Sequence, residues 1–288
     1  MKTLVIRFSS LGDIVLSGAV TANLGPVEFL TLSRYVDLAA RLPGVTRVHA
    51  WEETGRAITK DFDRIVDLHA SPRSRWATAF RRAKVSRVKR YDLRRRARTS
   101  FKIEPPPPVI DRYAEAAGVT PATRPWMRTE GGPALLMVPF TAHRTKAWPA
   151  ERYVMLGQRW KGPILALGSL SEREGLEAIC SSIGPRARVI SENGFDATLS
   201  AIQSGRIAVG GDTGLIHLAA ASGVPTVGLF GPTSSRDGFW SYDGLALEAD
   251  LPCRPCSRHG GTHCPIGDHH CMDSIDVDKV WNAIEALA

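Results

Sequence analysis

No apolar run in the chain approaches the roughly 20 residues that a bilayer-crossing helix needs. Stretches such as residues 208–211 and 224–230 end far sooner. A membrane-spanning helix is excluded at this level. The opening Met1-Lys-Thr-Leu-Val-Ile-Arg7 has a single basic residue before a short β-type run, and Arg7 and Asp13 follow at once. That is not the pattern of a secretory leader, so the expected compartment is the cytoplasm. Two common nucleotide-cradling loops, a Walker A lysine motif and an intact Gly-x-Gly-x-x-Gly, are also missing. The acidic pair Asp61-Phe-Asp63 precedes an apolar run instead of following one, so it reads as a surface turn and not as a metal-binding aspartate motif.

What is present is ordinary globular composition, 43% hydrophobic and 23% charged over 288 residues, which excludes disorder as the main state. At roughly 100–200 residues per domain, the length favours two domains. The net charge of +8 is local: residues 73–102 hold thirteen Lys/Arg against the single acid Asp92, a segment of +12 that leaves −4 for the rest. Such a patch implies a polyanionic partner, whether nucleic acid, an anionic membrane surface or a phosphorylated substrate.

Strand and helix signals alternate along the chain. Residues 3–8, 27–31, 45–51 and 62–69 read as strands, with helices expected at 14–23 and 35–41. Four prolines at 105–108 enforce an extended segment, and residues 109–118 form a helix ended by glycine. Residues 119–133 contain three prolines and two glycines and make the best linker. A second alternation follows, with strands at 134–139, 163–167, 188–190, 206–210 and 224–230 and helices between them. The expectation is an α/β protein of two Rossmann-like domains facing a cleft, residues 1–130 and 131–288.

The segment Gly210-Gly-Asp-Thr-Gly-Leu-Ile-His217 places a strand end, a tight turn and a helix start in succession. Free N–H groups at such a helix start favour an anion, so Thr213 and Gly214 suit a diphosphate and His217, one turn in, suits the same ligand. The alternative is that Asp212 and Thr213 only cap the helix and His217 is a satisfied core residue. The turn Phe230-Gly-Pro-Thr233 at the next strand's end, on the same sheet edge, favours the ligand reading. Lys146 lies, with Thr141, in the polar loop after the first strand of the second half; a loop lysine is more often simply solvated, and the carboxyl end of the strand is what would offer it and Thr141 to phosphates.

These motifs carry a resemblance. Asp212-Thr-Gly-Leu-Ile-His-Leu-Ala-Ala-Ala221 with Phe230-Gly-Pro-Thr233 resembles the heptosyltransferases of glycosyltransferase family 9. So do Ile6-Arg-Phe-Ser-Ser-Leu-Gly-Asp-Ile-Val15, Val66-Asp-Leu-His69 with Arg73-Ser-Arg75, Asp111-Arg-Tyr113 and Lys146-Ala-Trp-Pro149, in the family's order. The resemblance implies a GT-B fold and inverting transfer of a heptose from ADP-heptose to a lipopolysaccharide-core or other anionic glycan, in a Gram-negative bacterium. It implies that Asp13 is the general base, a weak one, because its helix start should keep its pKa near or below about 3.9. It implies that Lys146 neutralises the leaving diphosphate and that Glu172 contacts the nucleotide ribose, where the plainer reading is a first-turn glutamate favoured by the helix dipole. It makes the first domain the acceptor domain, with Arg73 and Arg75 as acceptor contacts, and the second the nucleotide-sugar domain. The remaining arginines would then dock on anionic lipid at the cytoplasmic face of the inner membrane, at about 1 kcal/mol each near the surface. Two other readings stand: a nucleic-acid-binding protein using residues 73–102, and a family-9 transferase with a protein or non-heptose acceptor.

The tail, residues 253–271, holds four of the five cysteines: Cys253-Arg-Pro-Cys256, Cys264 and Cys271, with histidines interspersed. The spacing suits a structural zinc or iron site, or equally free thiols that shape a loop. A similar cysteine segment is known among the family's type II enzymes. Catalysis itself is expected to need no metal cofactor, with Lys146 and the helix start acting on the diphosphate. Cys180 reads as core.

Overall fold

The computed structural model describes residues 1–101, 103–127, 129–191, 194–237 and 242–288. The chain folds into two compact units, Met1–Asp92 with Pro107–Trp126, and Leu93–Pro106 with Met127–Ala288.

The first unit is built on five parallel strands: β1 (Thr3–Ile6), β2 (Val27–Thr31), β3 (Val45–Ala50), β4 (Arg64–Asp67) and β5 (Lys84–Arg87), in the order β3-β2-β1-β4-β5. Val5 of the central strand pairs with Phe29 on one side and Val66 on the other. Helices cover both faces of such a sheet, so β1 has no polar alternation, and Leu4, Val5 and Ile6 are fully buried. The helix Leu11–Thr21 is almost wholly buried. The proline-rich stretch after residue 118 is fastened to it, since Ala122 N–H donates to Ala19 O (2.7 Å) and Asn23 Nδ2 to Thr120 O (2.9 Å).

The second unit has six parallel strands: β6 (Ala134–Val138), β7 (Ile164–Leu167), β8 (Ala187–Ile190), β9 (Gly205–Gly211), β10 (Thr226–Phe230) and β11 (Gly244–Glu248), in the order β11-β10-β9-β6-β7-β8. Leu135, Met137, Ile207, Val209, Val227 and Leu229 pack with Tyr153 and Leu156 on one face, closed by Val280 and Ile284 of the helix Val277–Leu287. Burying so many aliphatic side chains at about 1.5–3 kcal/mol each supplies the main stabilising term of this unit.

Both sheets reverse their strand order, one between β1 and β4 and the other between β6 and β9. At such a reversal the loops leaving the two strands' carboxyl ends diverge and open a crevice, where ligands bind in open α/β sheets. The basic segment read as one patch is divided: residues 73–92 belong to the first unit and 93–101 to the second, while Lys102 lies outside the described residues.

Candidate functional site

Each crevice gathers charged side chains. At the carboxyl end of β1, Ser10 caps the helix Leu11–Thr21 and Asp13 stands at its third position, reaching back to the Ser10 N–H (3.2 Å). The same oxygen, Oδ2, accepts from Ser10 Oγ (2.7 Å) and pairs with Arg7 (2.5 Å), while Oδ1 accepts from the Tyr113 hydroxyl (3.1 Å). Asp13 is thus both a helix cap and the centre of a partly buried charge network. Burial alone would raise its pKa, but the Arg7 guanidinium and the Ser10 and Tyr113 hydrogen bonds prevail and hold it at about 2. Burial also pushes the Tyr113 phenol well above its ordinary range, so it stays a donor. Arg7 is fixed by a second bond to Leu68 O (2.7 Å) at the end of β4. His69 follows there, and burial together with Arg7 lowers its pKa to about 4, so it is neutral at physiological pH.

At the second crevice Lys146, buried in the turn Arg144–Lys146 after β6, donates from Nζ to Asp212 O (2.6 Å) and Asp212 Oδ2 (2.7 Å) after β9. Gly211 makes this approach feasible, because a Cβ there would stand 3.0 Å from both Lys146 O and Thr141 Cγ2. Asp212 Oδ1 lies 3.8 Å from His217 Nε2. Burial would raise the Asp212 carboxyl, but His217 and Lys146 outweigh it and keep it ionised far below the usual range. Thr213 is the N-cap residue of the helix Gly214–Ala221, yet its side chain makes no capping bond and its buried Oγ1 has no hydrogen-bond partner among the described residues. The first-turn N–H groups of this helix therefore lack a side-chain cap, and an anion would satisfy them. Lys146, Thr141, Asp212, Thr213, Gly214 and His217 all lie around this one strand reversal.

The other sequence-read residues fall elsewhere. Glu172 stands beyond β7, where Oε2 accepts from Ser169 N–H (2.7 Å) and Oγ (2.8 Å) in a capping box. Arg73 and Arg75 are exposed on the helix Pro72–Thr78, Arg73 lying 5.8 Å from the Phe8 ring centroid. This helix is capped by Ser71 and tied to β4 by Ser74 Oγ, which donates to the buried Asp67 (2.9 Å). Among the described residues no group of three or more His, Cys, Asp or Glu is arranged to hold a metal. Cys256, Cys264 and Cys271 do line a common cavity, and Cys180 packs in the core as expected.

The model of glycosyltransferase family 9 (heptosyltransferase) matches residues 115–262, more than half of the chain. The chain belongs to glycosyltransferase family 9. The family match runs from the helix Val109–Ala117 into the tail loop and takes in every residue of the second crevice. A lipopolysaccharide heptosyltransferase 1 of Pseudomonas aeruginosa is 25% identical over 348 aligned positions, covering 100% of this chain and 98% of that one. Among solved structures, the E. coli ADP-heptose lipopolysaccharide heptosyltransferase II superposes with a TM-score of 0.74 at 19% identity, over 100% of this chain and 98% of that one. The iron-containing dodecameric glycosyltransferase TibC of enterotoxigenic E. coli superposes at 0.63 and 14% identity, over 99% of this chain and 75% of that one. The fold of this family-9 glycosyltransferase is therefore GT-B.

Sequence reasoning assigned no role to Arg7, His69 or Tyr113, although each lies inside a quoted motif. An arginine directly after the apolar run of a buried strand is the signal that points to a carboxylate partner, and Arg7 is partly buried there. The Tyr113 contact spans 100 residues and has no local signature.

Proposed function

We propose that this protein is an inverting heptosyltransferase that moves a heptose from ADP-heptose to a lipopolysaccharide-core acceptor. The observation that carries the reading is the Lys146–Asp212 pair beside an uncapped helix start at the strand reversal of the second sheet. The chain's relatives named as ADP-heptose and lipopolysaccharide enzymes support it. The diphosphate sits at the N–H groups of Gly214 and its neighbours, Thr213 Oγ1 supplies a hydroxyl, and Lys146 offsets the charge that grows as ADP leaves. Glu172 contacts the ribose and His217 the same donor.

In the reaction the acceptor hydroxyl oxygen bonds to the anomeric carbon as the bond to ADP breaks, and the hydroxyl proton passes to Asp13. A carboxylate held at about 2 is a weak base. It suits an oxocarbenium-like transition state in which the proton leaves late, and its charge stabilises the developing cation. No divalent ion takes part in this scheme. Arg73 and Arg75 face an acceptor rich in phosphates and carboxylates. Replacing Asp13 by Asn should abolish transfer without weakening ADP binding; full activity in that variant sinks the base assignment.

Contact with an anionic membrane face, and hence a place at the cytoplasmic surface of the inner membrane, rests on the helix Pro72–Thr78 and the loop after it. Trp76 is 57% exposed and Phe80 98%, the latter at φ 56, amid Arg73, Arg75, Arg82 and Lys84. Bulky side chains seldom adopt a positive φ, and apolar tips ringed by cations suit a lipid interface.

For a structural zinc or iron, the donors would be Cys253, Cys256, Cys264 and Cys271. Burial and the neighbouring Cys256, Cys264 and Cys253 push the Cys271 thiol up to about 11, while backbone N–H groups of His269, Ile266 and Gly267 lower that of Cys264 against burial. The four thiols share a neighbourhood but stop short of a ready-made coordination set. Elemental analysis of the purified protein, with thiol titration as the complement, decides between bound metal and free thiols.

A further inference from the structure

Lys146 is braced on its far side by the cysteine-bearing tail. Its neighbour Thr145 is buried and exchanges three hydrogen bonds with Gly261: Thr145 N–H to Gly261 O (3.1 Å), Thr145 Oγ1 to Gly261 O (3.0 Å) and Gly261 N–H to Thr145 Oγ1 (2.8 Å). The Thr145 carbonyl accepts from His269 Nε2 (2.6 Å). His269 delivers that donor from a left-handed backbone at φ 51, a conformation that its surroundings must enforce. Gly260 lies against the lysine's own stem. At φ +88, a Cβ on Gly260 would stand 2.9 Å from Lys146 Cγ and Cδ and 2.7 Å from His143 Cβ. Ser257 Oγ pins the loop by accepting from Gly260 N–H (2.9 Å). Between Thr145 and the thiols of Cys256, Cys264 and Cys271 is a cavity of about 190 Å³.

We infer that residues 257–269 are a positioning element of the donor site: Gly260, Gly261 and His269 fix the height and direction from which Lys146 presents its ammonium. The tail is then part of the donor-binding machinery and not a remote clip. The inference rests on the reading of Lys146 as the diphosphate lysine. It assigns no contact with substrate to His269, which acts through the Thr145 carbonyl. A buried backbone carbonyl that loses the His269 donor lets the turn Arg144–Lys146 relax, and a charged group moved by a fraction of an ångström binds a phosphate less well.

The test measures ADP binding by calorimetry, steady-state constants for donor and acceptor, and thermal midpoint. His269→Ala should weaken ADP binding about three- to tenfold, the range of one lost hydrogen bond. The donor KM should rise by the same factor and the acceptor KM should not move. His269→Gln keeps a donor within reach of the carbonyl and should recover most of the loss. Gly260→Ala, which pushes on the lysine directly, should weaken binding more than His269→Ala. Wild-type ADP affinity in His269→Ala and Gly260→Ala, alongside a weakened Lys146→Ala, overturns the inference and leaves the lysine's role intact. Unchanged binding in Lys146→Ala as well removes the donor-lysine reading, and the inference goes with it.

Discussion

Asp13 owes its state to its neighbours more than to its place in a helix cap. Its folded pKa of about 2 lies below the ordinary 3.8, so the contact contributes stability that is fully present above pH 4 and is lost as pH falls through 2. Arg7→Met removes the main opposing charge and leaves a partly buried carboxylate without its ion-pair partner. The variant should therefore be most destabilised near neutrality, and its deficit should shrink as pH falls below 4 and Asp13 takes up a proton. Urea denaturation at stepped pH reads this directly; a deficit independent of pH contradicts it. His69 works in the opposite sense of charge. It is neutral in the fold down to about pH 4, while its ordinary value is 6.5, so the stability tied to it is present above 6.5 and drains away toward 4. His69→Gln should flatten that part of the same curve. In the second crevice, Lys146→Ala should cut transfer by about a hundredfold or more, as loss of a group that stabilises developing charge does. Initial rates of ADP release measure it.

At the scale of elements, the sequence was informative where burial was uniform. β1, β6 and β10 are buried on every residue, so their apolar runs are short, continuous and easy to read. β5 (Lys-Val-Ser-Arg) and β11 (Gly-Leu-Ala-Leu-Glu) are not legible because no residue of either is fully buried and neither has a β-branched apolar run, whereas the edge strands β3 and β8 carry Val or Val-Ile. The helix Asp92–Phe101 was hidden by its arginines, and the helix Pro72–Thr78 by the charge read there as a patch. The expected helix at 35–41 shrinks to the turn Ser33–Tyr35 and the short helix Val36–Ala39. The C-terminal helix Val277–Leu287 went unread although Asp276 caps it, accepting from Lys279 N–H (2.7 Å). Asp276→Ala should cost about 1 kcal/mol, checked by equilibrium denaturation. Lys146 and Asp212 were each legible as residues at strand ends, and the parallel topology explains why they meet. The tail brace was not legible, because 116 residues separate Thr145 from Gly261 and only the fold joins them.

At the scale of the whole molecule, the net charge of +8 comes from the basic segment that the two units share, and no helix among the described residues is long and apolar enough to cross a membrane. Trp76→Ser with Phe80→Ser should reduce co-sedimentation with vesicles of anionic lipid while leaving ADP binding untouched, and added salt should weaken what remains. Equal sedimentation of wild type and variant at low salt removes the lipid-facing role of that loop. The central claim is heptosyl transfer itself. Its most direct measurement incubates the purified protein with ADP-heptose and an inner-core lipopolysaccharide precursor, and follows both ADP release and the mass of the acceptor. Heptosyl transfer should release one ADP per heptose added, with both signals lost in Asp13→Asn and Lys146→Ala. An unchanged acceptor mass for the wild type, or full transfer by both variants, contradicts it.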